Sequence, residues 1–246
     1  MGDTLLQVAL DLVSIEDALR IASIARSNGA DVVEAGTLLI KTHGIQAIKS
    51  LKQICYDIPI LADMKVLDNG IKEVELAVTN GADIVTVSAL ASDKTILDSV
   101  LTADKYGAKV MVDFMHVTNP FDRALTLCER GIDYICIHVS SSNNNSYDTI
   151  TEEKHYDASK PASLSVPYSS NAVREMAGSI GYGIKIVKGL SSSCNIPIAV
   201  EGVLDESCIC ELVRAGASII VIGSYIIKTA DVASKIRWLK RLLQCT

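Results

Sequence analysis

No apolar stretch in the 246 residues approaches the roughly 20 needed to cross a bilayer, so no membrane-spanning helix is expected. Met1-Gly2-Asp3-Thr4 lacks a basic segment and Asp11 interrupts the first apolar run, which predicts no signal peptide and a cytoplasmic location. Positive charge is scarce: 23 Lys and Arg stand against 29 Asp and Glu, with a net charge of −6 and a pI near 5.2. That balance argues against nucleic acid or an anionic membrane as a partner. A small phosphorylated ligand stays open, because a few N–H groups bind phosphate without a basic surface. Nothing before about residue 140 resembles a linker between two cores. The cysteines, Cys55, Cys128, Cys136, Cys194, Cys208, Cys210 and Cys245, are odd in number and scattered, as reduced thiols would be. Cys208-Ile209-Cys210 falls in a helix-like stretch with no second pair nearby, which disfavours a metal or redox motif.

What is present is a repeat. Asn28-Gly29-Ala30-Asp31, Asn80-Gly81-Ala82-Asp83, Tyr106-Gly107-Ala108-Lys109, Arg130-Gly131-Ile132-Asp133 and Ala215-Gly216-Ala217-Ser218 each precede a short β-branched run. Each reads as helix end, turn and buried strand, the glycine supplying the left-handed residue that closes a helix. Amphipathic stretches such as Ile15–Ser27, Ile45–Ile54 and Ala91–Tyr106 lie between them. Adding Leu6–Leu10, Ile58–Ala62 and Ile196–Val200 gives eight strands, most about 25 residues apart. The expected fold is therefore α/β, a single-domain (β/α)8 or TIM barrel covering 1–246. A doubly wound open sheet is the competitor, but no Gly-rich dinucleotide turn follows the first strand.

In such a barrel the chemistry lies where the strands end. Strand one ends at Asp11, two at Glu34, three at Asp63 and Lys65, four near Ser88, five at Asp113 and six at His138. An Asp or Ser there can cap the next helix, but Glu34, Lys65 and His138 are poor caps. Glu34 and Asp63 are the expected pair of ligands for Mg²⁺, with Mn²⁺ as a substitute ion, because hard cations take carboxylates and water. No thiolate is expected there to favour zinc. Lys65, between Asp11, Asp63 and Asp68, would stay protonated and stabilise developing negative charge. His138 suits proton transfer near neutrality. Asp113 and His116 are candidate lining residues. His43, expected to begin the helix after strand two, and His155 receive no role. Gly202, Gly223 and Ser224, following strands seven and eight, are candidates for binding phosphate through backbone N–H groups.

Leu6-Gln7-Val8-Ala9-Leu10-Asp11, Val33-Glu34-Ala35-Gly36-Thr37, Leu61-Ala62-Asp63-Met64-Lys65-Val66-Leu67-Asp68-Asn69-Gly70, Gly81–Val87 and Val112-Asp113-Phe114-Met115-His116-Val117 resemble the orotidine-monophosphate-decarboxylase superfamily. Within it the chain is most similar to the 3-hexulose-6-phosphate synthase family, through Val112–Val117 and Ile222-Gly223-Ser224. The resemblance implies a Mg²⁺-dependent carbon–carbon lyase. It would condense formaldehyde with D-ribulose 5-phosphate, reversibly, through an enediolate. It further implies that Asp11 orients Lys65, that His138 moves the C1 proton, and that Asp68 reaches the partner's site in a homodimer.

Two features depart from that pattern. From about 140 to 170 the chain is polar and irregular, a long insertion after strand six, where barrel loops set substrate choice. Glu201 stands where the family often has the first of two glycines, unfavourable beside a phosphate unless it points away. The sister 3-keto-L-gulonate-6-phosphate decarboxylase is the alternative, but that family carries arginine shortly after the strand-six histidine, where this chain has Val139-Ser140-Ser141-Ser142. A non-catalytic barrel that binds sugar phosphate is a second alternative, at odds with retention of the whole polar set.

Overall fold

The computed structural model describes residues 3–140 and 180–244. Eight parallel strands close in chain order into one barrel: β1 (Leu5–Leu10), β2 (Val32–Ala35), β3 (Ile60–Val66), β4 (Ile84–Ser88), β5 (Lys109–Asp113), β6 (Tyr134–Ser140), β7 (Ile198–Val203) and β8 (Ile219–Ile222). Between and after them run α1 (Ile15–Ser27), α2 (Thr37–His43), α3 (Gln46–Ile54), α4 (Gly70–Thr79), α5 (Asp93–Lys105), α6 (Pro120–Cys128), α7 (Ile180–Ser193), α8 (Glu206–Ala215), α9 (Ser224–Ile227) and α10 (Val232–Gln244). The fold is the expected TIM barrel. The insertion expected at 140–170, with His155, falls almost wholly outside the described residues, between the end of β6 and the start of α7.

The local causes are those of the repeat. Gly29, Gly81, Gly107, Gly131 and Gly216 all have positive φ, between 71° and 106°, a region that costs a side-chain-bearing residue energy. Strand residues then alternate. Val8, Leu10, Val33, Val85, Val112, Ile137 and Val200 face outward and pack under the helices, where each large side chain contributes about 1.5–3 kcal/mol. Ala9, Val32, Leu61, Ile84, Met111, Cys136, Ala199, Ile219 and Val221 face inward and fill the barrel. Above that apolar plug the inward positions turn polar.

The strand ends differ from expectation in a useful way. β3 continues past Ala62 to Val66, and its register against β4 shifts between those residues. The shift accommodates Lys65, a non-glycine residue at φ 46°, whose backbone N–H leaves the ladder and donates to Thr86 Oγ1 at 2.8 Å. The charged segment expected after the strand is thus partly inside it, held by a bulge. β7 likewise extends through Glu201 and Gly202. His43 ends α2 instead of beginning it. Cys128 and Cys194 pair as a disulfide, so the expectation of seven reduced thiols is corrected; Cys55, Cys136, Cys208 and Cys210 are free.

Candidate functional site

The inward alternation brings Gln7, Glu34, Asp63, Lys65, Thr86, Asp113, His138 and Glu201 to the C-terminal mouth of the barrel. Lys65 is the centre. Its Nζ lies 2.5 Å from Asp113 Oδ2 and 3.0 Å from Asp63 Oδ2. Burial works against the ammonium, but Asp63 and Asp113 outweigh it and hold its pKa far above the usual lysine value. Lys65 is therefore a fixed positive charge.

Asp113, expected only as a lining residue, is the hub. Oδ1 accepts from the Met115 backbone N–H at 2.7 Å and lies 2.9 Å from His138 Nε2, while Oδ2 takes Lys65. Burial would raise this carboxyl, yet the bond from His138 and the charges of His138 and Lys65 bring it well below the usual range. His138 is pulled the other way. Burial disfavours the imidazolium, but the Asp113 bond and the Glu201 charge more than offset it and raise its pKa.

Asp63 is fixed by three donors: Thr86 Oγ1 to Oδ1 at 2.8 Å, Thr37 Oγ1 to Oδ2 at 2.5 Å, and Lys65. Glu34 is 2% exposed and accepts from Gln7 Nε2 at 2.6 Å, leaving Gln7 Oε1 buried with no partner among the described residues. Burial, then the charges of Glu201, Asp63 and Asp11, push its pKa well up. Glu34 pairs with no cation among the described residues. Five carboxyls, Asp11, Glu34, Asp63, Asp113 and Glu201, thus gather at the mouth, and among the described residues Lys65 and His138 alone lie within ion-pair distance of any of them. A divalent cation on Glu34 and Asp63 would relieve that excess, and oxygen donors of this kind suit Mg²⁺. The donor set fits the expected ion.

Several sequence-based roles shift. Asp11 does not bond Lys65. Its carboxyl packs against Gly36, where a Cβ would fall 2.3 Å from Oδ1, and accepts from the Leu38 backbone N–H. It reaches Lys65 only as a charge, and burial followed by Asp63 raises its own pKa. Asp68 is exposed beyond the end of β3, interacts with Glu73, and forms no ion pair with Lys65, whose partners are Asp63 and Asp113. His116 has φ 63° and an exposed side chain. A thiol does stand near the site: Cys136, two residues before His138 on β6, places Sγ 3.9 Å from His138 Nε2, and burial followed by the charges of Glu201, Asp113 and Glu34 pushes its pKa well up. Gln7, Thr37 and Thr86 were missed because they are uncharged, although strand alternation puts Gln7 and Thr86 on the inner face.

Glu201 pairs in register with His138 and puts Oε2 3.6 Å from its Nε2. It therefore points inside the barrel. Gly202, the next residue, lines a cavity of about 370 Å³ with Gly223, Ser224, Tyr225, Lys228 and Lys235. Gly202 admits no substitute, since φ is 150° and a Cβ would lie 1.7 Å from the Val139 carbonyl oxygen. The three sequence-chosen residues meet there, joined by two lysines. Lys235 Nζ sits 3.9 Å from the Tyr225 ring centre and 4.9 Å from that of Trp238.

Residues 4–238 match the family model for the orotidine 5'-phosphate decarboxylase / HUMPS family. Among named relatives, 3-hexulose-6-phosphate synthase of Bacillus subtilis is 36% identical over 154 residues, 61% of this chain and 73% of that protein. The Staphylococcus epidermidis synthase is 38% identical over 134 residues, 54% of this chain and 63% of its own length, so less than two thirds of that relative is matched. A crystal structure of a 3-hexulose-6-phosphate synthase superposes with a TM-score of 0.75 at 27% identity, covering 96% of this chain and 98% of the other. The crystal structure of 3-keto-L-gulonate-6-phosphate decarboxylase from Vibrio cholerae superposes at 0.77 but with 21% identity, over 99% of each chain, a likeness of fold alone.

Proposed function

The chain belongs to the orotidine 5'-phosphate decarboxylase / HUMPS family, and on that premise we propose that it is a Mg²⁺-dependent aldolase. It would join formaldehyde to D-ribulose 5-phosphate, giving D-arabino-3-hexulose 6-phosphate, and run in reverse. The observation that carries the reading is the Lys65–Asp113–His138 chain, an obligate cation and a proton carrier joined through one buried carboxylate. Similarity to relatives named for this activity supports the substrate assignment.

Glu34 and Asp63 would hold the metal, which when bound supplies Lewis-acid polarisation of the substrate oxygens. The remaining work falls to the chain. His138, as neutral imidazole, takes the proton from C1; the resulting enediolate carbon attacks formaldehyde, and the new alkoxide takes up a proton. Lys65 stands by the oxygens on which negative charge develops, and its fixed protonation makes it a stabiliser. Asp113 holds both groups at bonding distance. The cavity at Gly202, Gly223 and Ser224 would take the phosphate through backbone N–H groups, with Lys228 and Lys235 adding charge. Glu201, turned toward His138, leaves that cavity free of its carboxylate.

The proposal includes a homodimer. Asp68 is exposed between Leu67, 57% exposed, and Ile71, 51% exposed, and Leu90 and Leu101 are similarly uncovered. An acidic residue framed by exposed leucine and isoleucine suits an interface that carries Asp68 into a second copy's mouth. Sedimentation should give twice the chain mass. The activity test is consumption of formaldehyde with ribulose 5-phosphate and Mg²⁺, abolished by EDTA. Failure to consume formaldehyde sinks the aldolase reading, and CO₂ release from 3-keto-L-gulonate 6-phosphate would replace it with the sister decarboxylase.

A further inference from the structure

We propose that Cys136, His138 and Glu201 form a second cation site, one for a thiophilic divalent ion such as Zn²⁺, distinct in donor chemistry from Glu34 and Asp63. One ligand atom from each of the three lies within 4.8 Å of the other two. Cys136 Sγ is 3.9 Å and Glu201 Oε2 3.6 Å from the same nitrogen, His138 Nε2. Zinc bonds sulfur at about 2.3 Å and nitrogen or carboxylate oxygen at about 2.0–2.2 Å, so one ion spans both separations. The set is thiol, imidazole and carboxylate, and once the ion has displaced the thiol proton it is the mixture that selects zinc over magnesium.

The placement is built in. β6 alternation turns Cys136 and His138 to the same inner face, and the pairing of His138 with Glu201 brings the third donor across from β7. Cys136 sits in the apolar plug at 4% exposure, while the side chains of His138 and Glu201, 13% and 27% exposed, open toward the mouth and provide a path of entry. Asp113 Oδ1, 2.9 Å from Nε2, is in reach as a further oxygen donor. Ion binding requires the Cys136 thiol to release its proton to solvent, and the Nε2 proton of His138 to leave as well. A coordinated thiol is deprotonated outright by such an ion, which Mg²⁺ does not achieve.

The consequence for turnover rests on the aldolase reading: an ion held by His138 ties up the imidazole assigned to C1 proton transfer, so Zn²⁺ inhibits where Mg²⁺ activates. Binding itself does not rest on that reading. The test is titration of the metal-free full chain with Co²⁺, read by absorbance without substrate. One equivalent should produce a near-ultraviolet thiolate-to-metal band and an intense visible spectrum, both removed by Zn²⁺ and unaffected by Mg²⁺. Cys136→Ser should abolish the ultraviolet band and weaken Zn²⁺ binding more than about tenfold. Glu201→Gln should keep the band but demand about tenfold more Co²⁺, so the proposal stays exposed to refutation if the serine variant does not fold. Absence of the band in the wild-type chain, its survival in Cys136→Ser, or an unchanged affinity in Glu201→Gln overturns it. Loss of the aldolase activity assignment would leave these spectra as they are.

Discussion

The two ends of the barrel use the same side chain for opposite purposes. At the N-terminal end Asp31, Asp83 and Asp133, each two residues after a positive-φ glycine, accept from the backbone N–H of Leu6, Ile60 and Val110 at 2.7, 2.7 and 2.9 Å. Each carries one lysine: Lys240 at 2.5 Å, Lys52 at 2.7 Å and Lys109 at 2.7 Å. Each of these three carboxylates has a private cation and a strand to pin. At the C-terminal end five carboxyls share Lys65 and His138, and their pKa values are driven apart: Asp113 down, Glu34 and Glu201 up. Balanced pairs hold the strands together; the unbalanced set is the one that, on the proposed reading, would take up a cation and a reacting substrate.

Removing the central cation should break the comparison most visibly. Lys65→Ala is expected to lower turnover by about 10²–10³-fold, the usual loss when one donor to developing negative charge is removed. It also leaves Asp63 and Asp113 without their shared cation, at a cost of about 3–5 kcal/mol in denaturant unfolding. Turnover within tenfold of wild type would end the argument that the C-terminal carboxylates exist to serve Lys65. At the other end Asp83→Ala should do the reverse. It orphans the Ile60 N–H and Lys52, costing about 1–3 kcal/mol of stability, with the kcat of the folded protein unchanged. A fall in kcat without loss of stability would show that the N-terminal clamps are not merely structural.

The N-terminal end was the easier to read. Glycine at a helix end followed by a β-branched run is a local signal, and every one of the five has the positive φ that requires it. The C-terminal end was legible in membership but less so in wiring. Alternation put Asp63, Lys65, Asp113 and His138 on the inner face, yet nothing in the spacing said that Lys65 would choose Asp113, 48 positions away, over Asp11. The bulge at Lys65 makes that choice by re-aiming its side chain. Glu201 was judged unfavourable beside a phosphate because it stands where the family often has the first of two glycines, while the register of β7 against β6 turns it to His138. Cys136 went unread for a similar reason, since the partners that make it noteworthy sit on another strand. The Cys128–Cys194 pairing joins residues 66 apart and has no local signature.

The smallest expected effects are on pH dependence, and they separate the two ends without unfolding either. If neutral His138 takes the C1 proton, kcat/KM should rise with pH through the pKa of His138 in the free enzyme. That pKa is raised, so the acid limb should lie above the ordinary histidine value of about 6.5. The Glu201 charge favours the imidazolium from 3.6 Å, and Glu201→Gln removes it while leaving the Asp113 bond in place. The pKa then falls and the base form persists to lower pH, so the acid limb of Glu201→Gln should move to lower pH than that of the wild type. Asp133→Asn, at the far end, removes the same unit of charge, and its limb should stay where it was. Equal shifts in the two variants would mean that the profile reports the net charge of the whole barrel, and His138 would lose its claim to the proton.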